Sequence, residues 1–411
     1  MKEHNYSKNK GQATLTIICG IHSGSTINWF QKRFDLKGQQ MLGREAGNSV
    51  PELFIPSDIT TVSPEQGIFV TDEQGTSYQA SPYALNQLYR GSEQLSPGKF
   101  HMLSDGDMMV LYGDDTQNEY ADVFFLYSNG ESKNNLDINI EERSVTENGK
   151  KKNLLKNIDI TIPEGHMVLI LGGSGAGKTT FMNAVMGYEP ANGTILYNGK
   201  DIYKHFDSMK YEIGYVPQQD LLRLSDTVDS TLMDAARMRL PRSLSKEEYR
   251  SKVEQTLRML GLKKEQFSRV DKLSGGQRKR LSIAVEYIGN PSLFFLDEPD
   301  SGLDSGMATE LMKNLRAIAN QGKIVMVISH SPNRVAQLFD DVIVLAKSEK
   351  DNCGYLAFYG DTDSACRFFD VTVKENADLE GIVSRINRKE EGGEGKGDYY
   401  IGAFGERLRN Q

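Results

Sequence analysis

The stretch MVLILGGSGAGKTTF, residues 167–181, decides how this chain is built. Its run of apolar residues is typical of a buried strand, and Phe181, Ala184 and Val185 mark one face of a helix after the glycines. A glycine loop between strand and helix turns backbone N–H groups inward, and the positive end of the helix adds its attraction for an anion. The stretch therefore predicts a phosphate-binding loop in an α/β domain.

The segment GGSGAGKT (172–179) fits the spacing G-x-x-x-x-G-K-[ST] of P-loop NTPases. In that motif Lys178 reaches the β- and γ-phosphates and the Thr179 hydroxyl binds Mg²⁺. A chance glycine loop is disfavoured, because a strand precedes the motif and a helix follows it. The loop residues expected to contact the nucleotide are Gly172, Gly173, Ser174, Gly175, Ala176, Gly177, Lys178, Thr179 and Thr180.

A second apolar run, LFFLDEP (293–299), ends in two carboxylates. Asp297 is expected to organise the Mg²⁺ ion, and Glu298 is placed as a general base for an attacking water. Two solvated acids at a strand end would be a common alternative, but the phosphate loop favours the site. Together with KIVMVISH (323–330), the run indicates buried parallel strands with functional groups at their carboxyl ends.

The stretch KLSGGQRKRLSIAVE (272–286) predicts a second anion-binding turn. Ser274 and Gln277 have the spacing of a capping box, so a helix is expected to begin there. An ordinary cap needs the serine and the glutamine but not the two glycines between them. The N–H groups of Gly275 and Gly276, with the Ser274 hydroxyl, could hold a second phosphate group.

Composition excludes several function classes. The net charge is −8 with a pI near 5.5, which does not suggest a nucleic-acid surface, so no nucleic-acid partner is expected. The 3 cysteines are widely spaced, which argues against a disulfide framework and fits a reducing cytosol. The N-terminus has no apolar signal core, and no apolar run has the roughly 18 residues of a membrane helix. We therefore expect that the chain does not cross a membrane by itself.

The chain is organised as two folded regions. Residues 13–127 carry short β-branched runs separated by turns, which favours a small all-β unit, and strands alternate with helices from Leu136 onward. One helix is predicted at 245–260 by the capping box of Ser245 and Glu248. The expected boundaries are an all-β domain at 1–127, a linker at 128–136, an α/β domain at 137–385 and a flexible, charged tail at 386–411.

The motifs in their order resemble those of the ATP-binding cassette (ABC) ATPases. LSGGQ (273–277) matches the signature of that family, and GYVPQQD (214–220) resembles its Q-loop. SGLD (301–304) resembles the D-loop and VISHSP (327–332) the switch region. The finer pattern resembles the G subfamily of ABC transporters, although Asp300 stands where threonine or serine is usual.

The resemblance implies a P-loop ATPase core with a helical subdomain, which binds ATP and Mg²⁺. It implies that Gln218 links Mg²⁺ and water to the coupling surface and that His330 contacts the γ-phosphate. Asp304 would lie at a dimer seam. Two cassettes would then enclose two ATP molecules head to tail, so the signature of one chain completes the site of the other. The signature residues are Ser274, Gly275, Gly276 and Gln277.

The N-terminal unit resembles a forkhead-associated (FHA) domain, a β-sandwich that binds phosphothreonine. MLGREAGNSV (41–50) supplies Arg44, and PSDITTVSPEQGIFV (56–70) supplies Ser63, the two residues that would grip the phosphate. Gln66 replaces the histidine of the FHA pattern and Arg90 its asparagine. A docking module in which Arg44 only caps a loop is the alternative.

These resemblances indicate the ATPase part of a G-type ABC transporter, cytoplasmic and peripheral to the membrane when assembled. Its partners would be a second cassette and a membrane-spanning domain, in the same polypeptide or a separate one. A soluble ABC ATPase with a signalling or scaffolding role remains an alternative, as does an FHA-like part that is purely a phosphopeptide-binding module. DNA-repair cassettes are disfavoured, because only 55 residues separate Gln218 from Ser274 and leave no room for a long coiled coil.

Overall fold

The structure is a computed structural model. It describes residues 13–23, 26–47, 49–72, 74–91, 93–104, 107–116, 119–129, 135–147, 149–329, 332–371 and 378–409. Two compact units emerge from its internal contacts. One takes in Met1–Lys133 together with Ser243–Lys263, and the other takes in Asn134–Arg242 and Lys264–Gln411.

The N-terminal region is all β, as the sequence predicts. Its strands are β1 (Thr14–Ser23), β2 (Thr26–Asp35), β3 (Gly38–Arg44), β4 (Leu53–Ile55), β5 (Gly67–Asp72), β6 (Gly75–Ala80), β7 (Tyr89–Arg90), β8 (Glu93–Gln94), β9 (His101–Met102), β10 (Met108–Leu111) and β11 (Glu119–Ser128).

These strands form two sheets around one core. A six-stranded sheet has the order β2-β1-β11-β10-β7-β8, and a five-stranded sheet has the order β4-β3-β5-β6-β9. Ile17 and Phe125 from the first sheet share a hydrophobic cluster with Leu42, Phe69 and Tyr78 from the second. The region is therefore a β-sandwich whose inner faces bury each other.

The second unit is built on one large sheet. Its strands are β12 (Leu136–Glu147), β13 (Lys150–Ile162), β14 (Met167–Gly172), β15 (Asn192–Tyr197), β16 (Lys200–Asp201), β17 (Ile213–Val216), β18 (Leu293–Asp297), β19 (Ile324–Ile328), β20 (Asp341–Lys347) and β21 (Gly354–Gly360). They lie in the order β16-β15-β12-β13-β21-β20-β14-β19-β18-β17.

The described helices are α1 (Lys178–Met186), α2 (Phe206–Met209), α3 (Val228–Arg239), α4 (Lys246–Met259), α5 (Gly275–Tyr287), α6 (Ser305–Ala319), α7 (Thr362–Phe368), α8 (Leu379–Ile386) and α9 (Gly397–Arg409). Of these, α1 to α6 lie in sequence between strands of this sheet, and α7 to α9 follow β21. Helix α4 belongs to the unit of the N-terminal sandwich, although its neighbours in sequence belong to the other unit. Among the described helices, none is long and apolar enough to cross a bilayer.

The strands that end in functional groups are neighbours and parallel. β14 pairs in parallel with β19 and β20, β19 with β18, and β18 with β17. Their residues are almost all buried, which explains the continuous apolar runs in the sequence. Because parallel strands share a carboxyl edge, the segments after them converge there.

The C-terminal segment differs from the expectation of a flexible tail. It contains α9, whose Tyr400 and Phe404 are buried. Phe404 lies with its ring centroid 5.5 Å from that of Phe358 on β21, and Tyr400 lies 4.5 Å from Phe369. The charged and glycine-rich residues before the helix led to the prediction of a flexible tail. The burial of the aromatic cluster offsets the entropic cost of ordering the segment.

Candidate ATP-binding and hydrolysis site

The phosphate loop follows β14 and leads into α1, as the sequence predicts. Gly175 and Gly177 have φ of 66° and 95°, in the left-handed region that glycine adopts without strain. A Cβ on Gly177 would lie 2.6 Å from Leu155 Cδ2, so the loop also needs glycine there for space. Ser174 and Gly175 are exposed, whereas Ala176 is buried beneath the loop.

Lys178 points back over the loop. Its ammonium group donates to the carbonyl oxygens of Gly172 at 2.9 Å and Gly173 at 3.1 Å. Burial lowers the pKa of Lys178, while the carboxylates of Glu298 and Asp297 oppose that shift. A half-desolvated ammonium group held by two neutral carbonyls can exchange them for a phosphate oxygen with little reorganisation.

Oxygen ligands for a divalent cation lie together beside the loop. The Thr179 hydroxyl donates to Asp297 Oδ2 at 3.1 Å, so two oxygens contributed by α1 and by the end of β18 meet at the sheet edge. Hard cations such as Mg²⁺ prefer such oxygen donors and keep several waters of their own. The donor set therefore fits Mg²⁺, and Thr179 and Asp297 are the residues that would hold it.

Glu298 is held in an unusual backbone conformation. Its φ is +50°, and its N–H donates to the Ile328 carbonyl of β19 at 2.9 Å. A non-glycine residue in this region stores strain of about 1–3 kcal/mol, and such strain collects at functional sites. The conformation turns the Glu298 carboxylate to the Q-loop, where the Gln218 side-chain amide donates to it. The conformation and this contact fix the Glu298 carboxylate beside Gln218, and its role as a general base stays a prediction.

Lys279 fixes the Q-loop to the helix of the signature. Its ammonium group donates to the Gln218 carbonyl at 2.9 Å and pairs with Asp220 at 2.8 Å, and the residue is 4% exposed. Sequence reasoning missed this role, because a lysine within QRKR looks like part of a solvated basic run. Its position on α5 one turn after the capping box was the available signal.

The signature begins α5 with the predicted capping box. The Ser274 hydroxyl accepts from Gln277 N at 3.2 Å, and Gln277 Oε1 accepts from Ser274 N at 2.9 Å. Ser274 and Gly275 are exposed. A Cβ on Gly276 would lie 2.9 Å from Met307 Sδ, so packing against α6 explains the second glycine. The Ser274 hydroxyl acts as the acceptor of the cap, and the binding of an anion by this turn stays a prediction.

The D-loop and switch residues occupy the neighbouring turns. Asp304 is exposed and caps α6 by accepting from Met307 N at 2.9 Å. Ser329 donates to Asp300 Oδ2 at 2.6 Å, so the acid that replaces threonine or serine ties the end of β18 to the segment after β19. His330 lies outside the described residues, and its assignment stays a prediction.

The segment after α8 reaches the phosphate loop. A Cβ on Gly173 would lie 1.9 Å from Asn387 Oδ1, so only glycine fits there while this segment is in place. Arg388 anchors the segment by donating to the Ser348 carbonyl at 3.0 Å. No sequence pattern indicates this contact, because Asn387 begins the charged, glycine-rich run whose composition predicts flexibility.

This arrangement joins a phosphate loop to two consecutive acids, Asp297 at the end of β18 and Glu298 directly after it. Residues 155–301 match the model of the family described as "ABC transporter". These residues therefore belong to an ABC transporter ATP-binding domain, an ATPase domain that binds ATP with Mg²⁺.

Several relatives named as ABC transporter proteins are 36% to 40% identical to parts of this chain. The chain is 40% identical over 200 residues to the ABC transporter ATP-binding/permease protein Rv1747 of Mycobacterium tuberculosis, covering 48% of this chain and 23% of that protein. It is 36% identical to ABC transporter G family member 28 and 38% identical to member 26, both of Arabidopsis thaliana. Those matches cover 57% and 53% of this chain, and 21% and 32% of the two relatives.

Among solved structures, cbiO1 from Clostridium perfringens, part of the ABC transporter complex cbiONQ, aligns with a TM-score of 0.49 and 27% identity. That alignment covers 56% of this chain and 89% of cbiO1.

Proposed function

We propose that this chain is the ATP-hydrolysing part of an ABC transporter and works as a head-to-tail dimer of cassettes. The observation that carries the proposal is the placing of Lys178 over the phosphate loop beside two side-chain hydrogen bonds, Thr179 to Asp297 and Gln218 to Glu298. In the proposed cycle Glu298 takes the proton of the attacking water, while Lys178 and the loop N–H groups stabilise charge on the phosphates.

The exposed signature supports the dimer. Ser274 and Gly275 at the start of α5 are exposed, although Ser274 also closes the capping box with Gln277. Asp304 is exposed nearby in sequence and is placed at the seam in this proposal. A neighbouring chain would present its bound ATP to this turn, so that closure requires ATP and hydrolysis allows release.

Transport needs a membrane-spanning partner. The chain spans between 21% and 32% of the length of the three relatives above, and one of them is named as an ATP-binding/permease protein. We infer a membrane domain that receives the force of cassette closure, from the same polypeptide or a separate subunit. The assembled cassette then lies on the cytoplasmic face of the membrane.

The N-terminal sandwich is proposed as an FHA-like docking or regulatory domain. Arg44 donates from Nε to the Val62 carbonyl at 3.0 Å and from Nη1 to the Ser57 carbonyl at 3.1 Å. Ser63 is buried and its hydroxyl accepts from Leu85 N at 2.8 Å. Gln66, in the position of the pattern's histidine, accepts from Ser63 N at 3.0 Å. These contacts favour a structural role for Arg44.

Phosphothreonine recognition by Arg44 and Ser63 stays a prediction. Calorimetry of the full chain against a phosphothreonine peptide library tests it directly. Binding that is lost in Arg44→Ala supports recognition, and no binding to any peptide rejects it.

Trapping the closed state tests the ATPase proposal. Glu298→Gln keeps the shape and the Gln218 contact but removes the base, so the hydrolysis rate is expected to fall about a hundredfold to ten-thousandfold. With ATP and Mg²⁺, light scattering should then report a dimer. Glu390→Gln, on an exposed position, is the matched control and should hydrolyse ATP normally. A Glu298→Gln chain that stays monomeric with ATP contradicts the two-chain mechanism.

A further inference from the structure

The outer face of the six-stranded sheet is buried, although a sandwich needs to cover only its inner faces. Ile18 and Val110 both pair with Phe124 across neighbouring strands, and each of the three is 1% exposed. The same face carries Asp122, which is fully buried, and His22, which is 4% exposed. A buried carboxylate is costly without a partner, so this face is built to be covered by a group that pairs with it.

The partner of this face is Arg258 on α4. Its guanidinium donates to Asp122 Oδ1 at 3.1 Å and to Asp115 Oδ2 at 3.2 Å, while Nε donates to Glu254 Oε1 at 2.7 Å. Arg258 is itself only 8% exposed. Opposite charges at these distances, with hydrogen bonds to most donors, make the burial of both groups tolerable.

Aromatic rings complete the arginine pocket. The Arg258 guanidinium carbon lies 4.9 Å from the Tyr112 ring centroid and 6.0 Å from that of Tyr120. His22 stacks on Tyr120 at 4.3 Å, and its Nε2 lies 3.2 Å from Asp122 Oδ2. Flat rings and a fixed carboxylate select a planar, permanently charged guanidinium rather than any cation.

A second contact fixes the direction of the helix. The Ser251 hydroxyl donates to the Gly91 carbonyl at 3.1 Å. Ser251, Gln255 and Arg258 follow each other at the spacing of one helical face, and Gln255 is 7% exposed. The apolar stripe of Val253 and Leu257 is buried as well, so α4 is covered on more than the one face of an ordinary surface helix.

The chain leads from α4 directly to the signature. Just after the helix, Glu265 accepts from the Gln277 side-chain amide at 3.0 Å. The next residue, Gln266, donates to Asp229 Oδ1 at the start of α3 at 2.7 Å. The segment that follows α4 therefore holds the very glutamine that closes the capping box of the signature.

We propose that the outer face of the sandwich is a docking site for an arginine-bearing helix, and that this helix is α4 of the same chain. The docking supports ATP hydrolysis because it orders the segment that holds the signature. The effect on hydrolysis rests on the proposed function, whereas the docking does not. The sandwich is thereby an internal clamp on the helix that precedes LSGGQ. Because α4 is held in place, the signature that follows it has less conformational freedom to lose when the two-chain site forms.

Hydrogen exchange on the full chain tests the docking. Arg258→Ala leaves Asp122 buried and unpaired, so amides of α4 and of β11 should exchange about a hundredfold faster. Arg250→Ala, an exposed arginine on the same helix, should leave exchange unchanged. The double variant Asp122→Leu, Arg258→Met removes both charges and should recover most of the protection, which separates docking from general unfolding.

Two exchange results would overturn the docking. One is α4 protection that is equal in the wild type and in Arg258→Ala. The other is protection that rises with protein concentration, which would assign the pocket to the helix of a second copy.

Steady-state kinetics test the regulation. Arg258→Ala should lower the hydrolysis rate about fivefold or more while ATP binding to the monomer stays the same. An unchanged rate with exposed α4 refutes the regulatory part. If the wild-type chain hydrolyses no ATP, the proposed function fails, and the exchange measurements still decide the docking.

Discussion

Two groups of polar side chains in this molecule differ in whether their binding groups are already paired with another side chain. In the phosphate loop, Lys178 is held by neutral carbonyls. Ser274, at the start of α5, is exposed. On the outer face of the sandwich, Arg258 and Asp122 are buried and bonded to each other. The first group remains able to bind a ligand, whereas the charged groups of the second are already paired with each other inside the chain. Substitutions in the first group should therefore act directly on nucleotide binding and hydrolysis, and substitutions in the second group should act first on stability.

The largest effect is expected for Lys178→Ala. The loop loses the cation that meets the phosphates, so ATP affinity should fall about tenfold to a hundredfold and hydrolysis should disappear. The free energy of unfolding should change little, because the ammonium group donates to two neutral loop carbonyls. Nucleotide titration and denaturant unfolding measure the two quantities, with Lys200→Ala as the exposed control. A large loss of stability would erase the difference between the two regions.

Ser274→Ala is expected to abolish hydrolysis while ATP binding to the monomer remains nearly intact. The substitution removes the signature hydroxyl and also a helix cap, and a lost cap costs about 0.5–2 kcal/mol. Thr227→Ala removes the same kind of cap from α3 and serves as the control for stability. If binding and hydrolysis fall together, the signature serves the site of its own chain.

Asp122→Ala should act first on stability, and it should lower the hydrolysis rate only through the loss of the α4 docking proposed above. It leaves Arg258 buried without its main partner, and breaking a buried pair costs about 3–5 kcal/mol. Chemical denaturation should show this loss, and ATP affinity of the chain should be unchanged. Asp114→Ala, nearby and exposed, should cost less than about 1 kcal/mol. A stability loss as small as that of the control would mean that the Arg258–Asp122 ion pair is not formed on the outer face of the sandwich.

The smallest effect concerns His166, an internally paired group at the start of β14. Its Nδ1 lies 2.6 Å from Asp341 Oδ2, and this hydrogen bond raises the pKa of His166. The stabilisation is complete below the ordinary pKa of about 6.5 and is lost as the pH rises through the higher pKa of the folded state. The wild type should therefore lose more stability than His166→Gln between about pH 6 and 9. Parallel curves for the two proteins would contradict the pairing.

The same comparison explains what could be predicted from sequence. The phosphate loop, Asp297 and the capping box of Ser274 are local patterns, since each places its groups within one loop, strand end or helix turn. The sheet edge where these groups meet could also be predicted, because parallel strands share a carboxyl edge. The pocket of Arg258 joins strands and a helix more than a hundred residues apart, so no local spacing indicates it. The same holds for Asn387 beside Gly173, and for α9, whose aromatic contacts lie in β21 and α7.

Mixing two inactive chains tests the central claim that LSGGQ completes the site of a neighbour. Lys178→Ala keeps a working signature, and Ser274→Ala keeps a working phosphate loop. In a head-to-tail dimer of the two, one composite site has both intact parts. Hydrolysis measured on the mixture should therefore reappear, although each chain alone is inactive. A mixture as inactive as its components would contradict the account and assign the signature to its own chain.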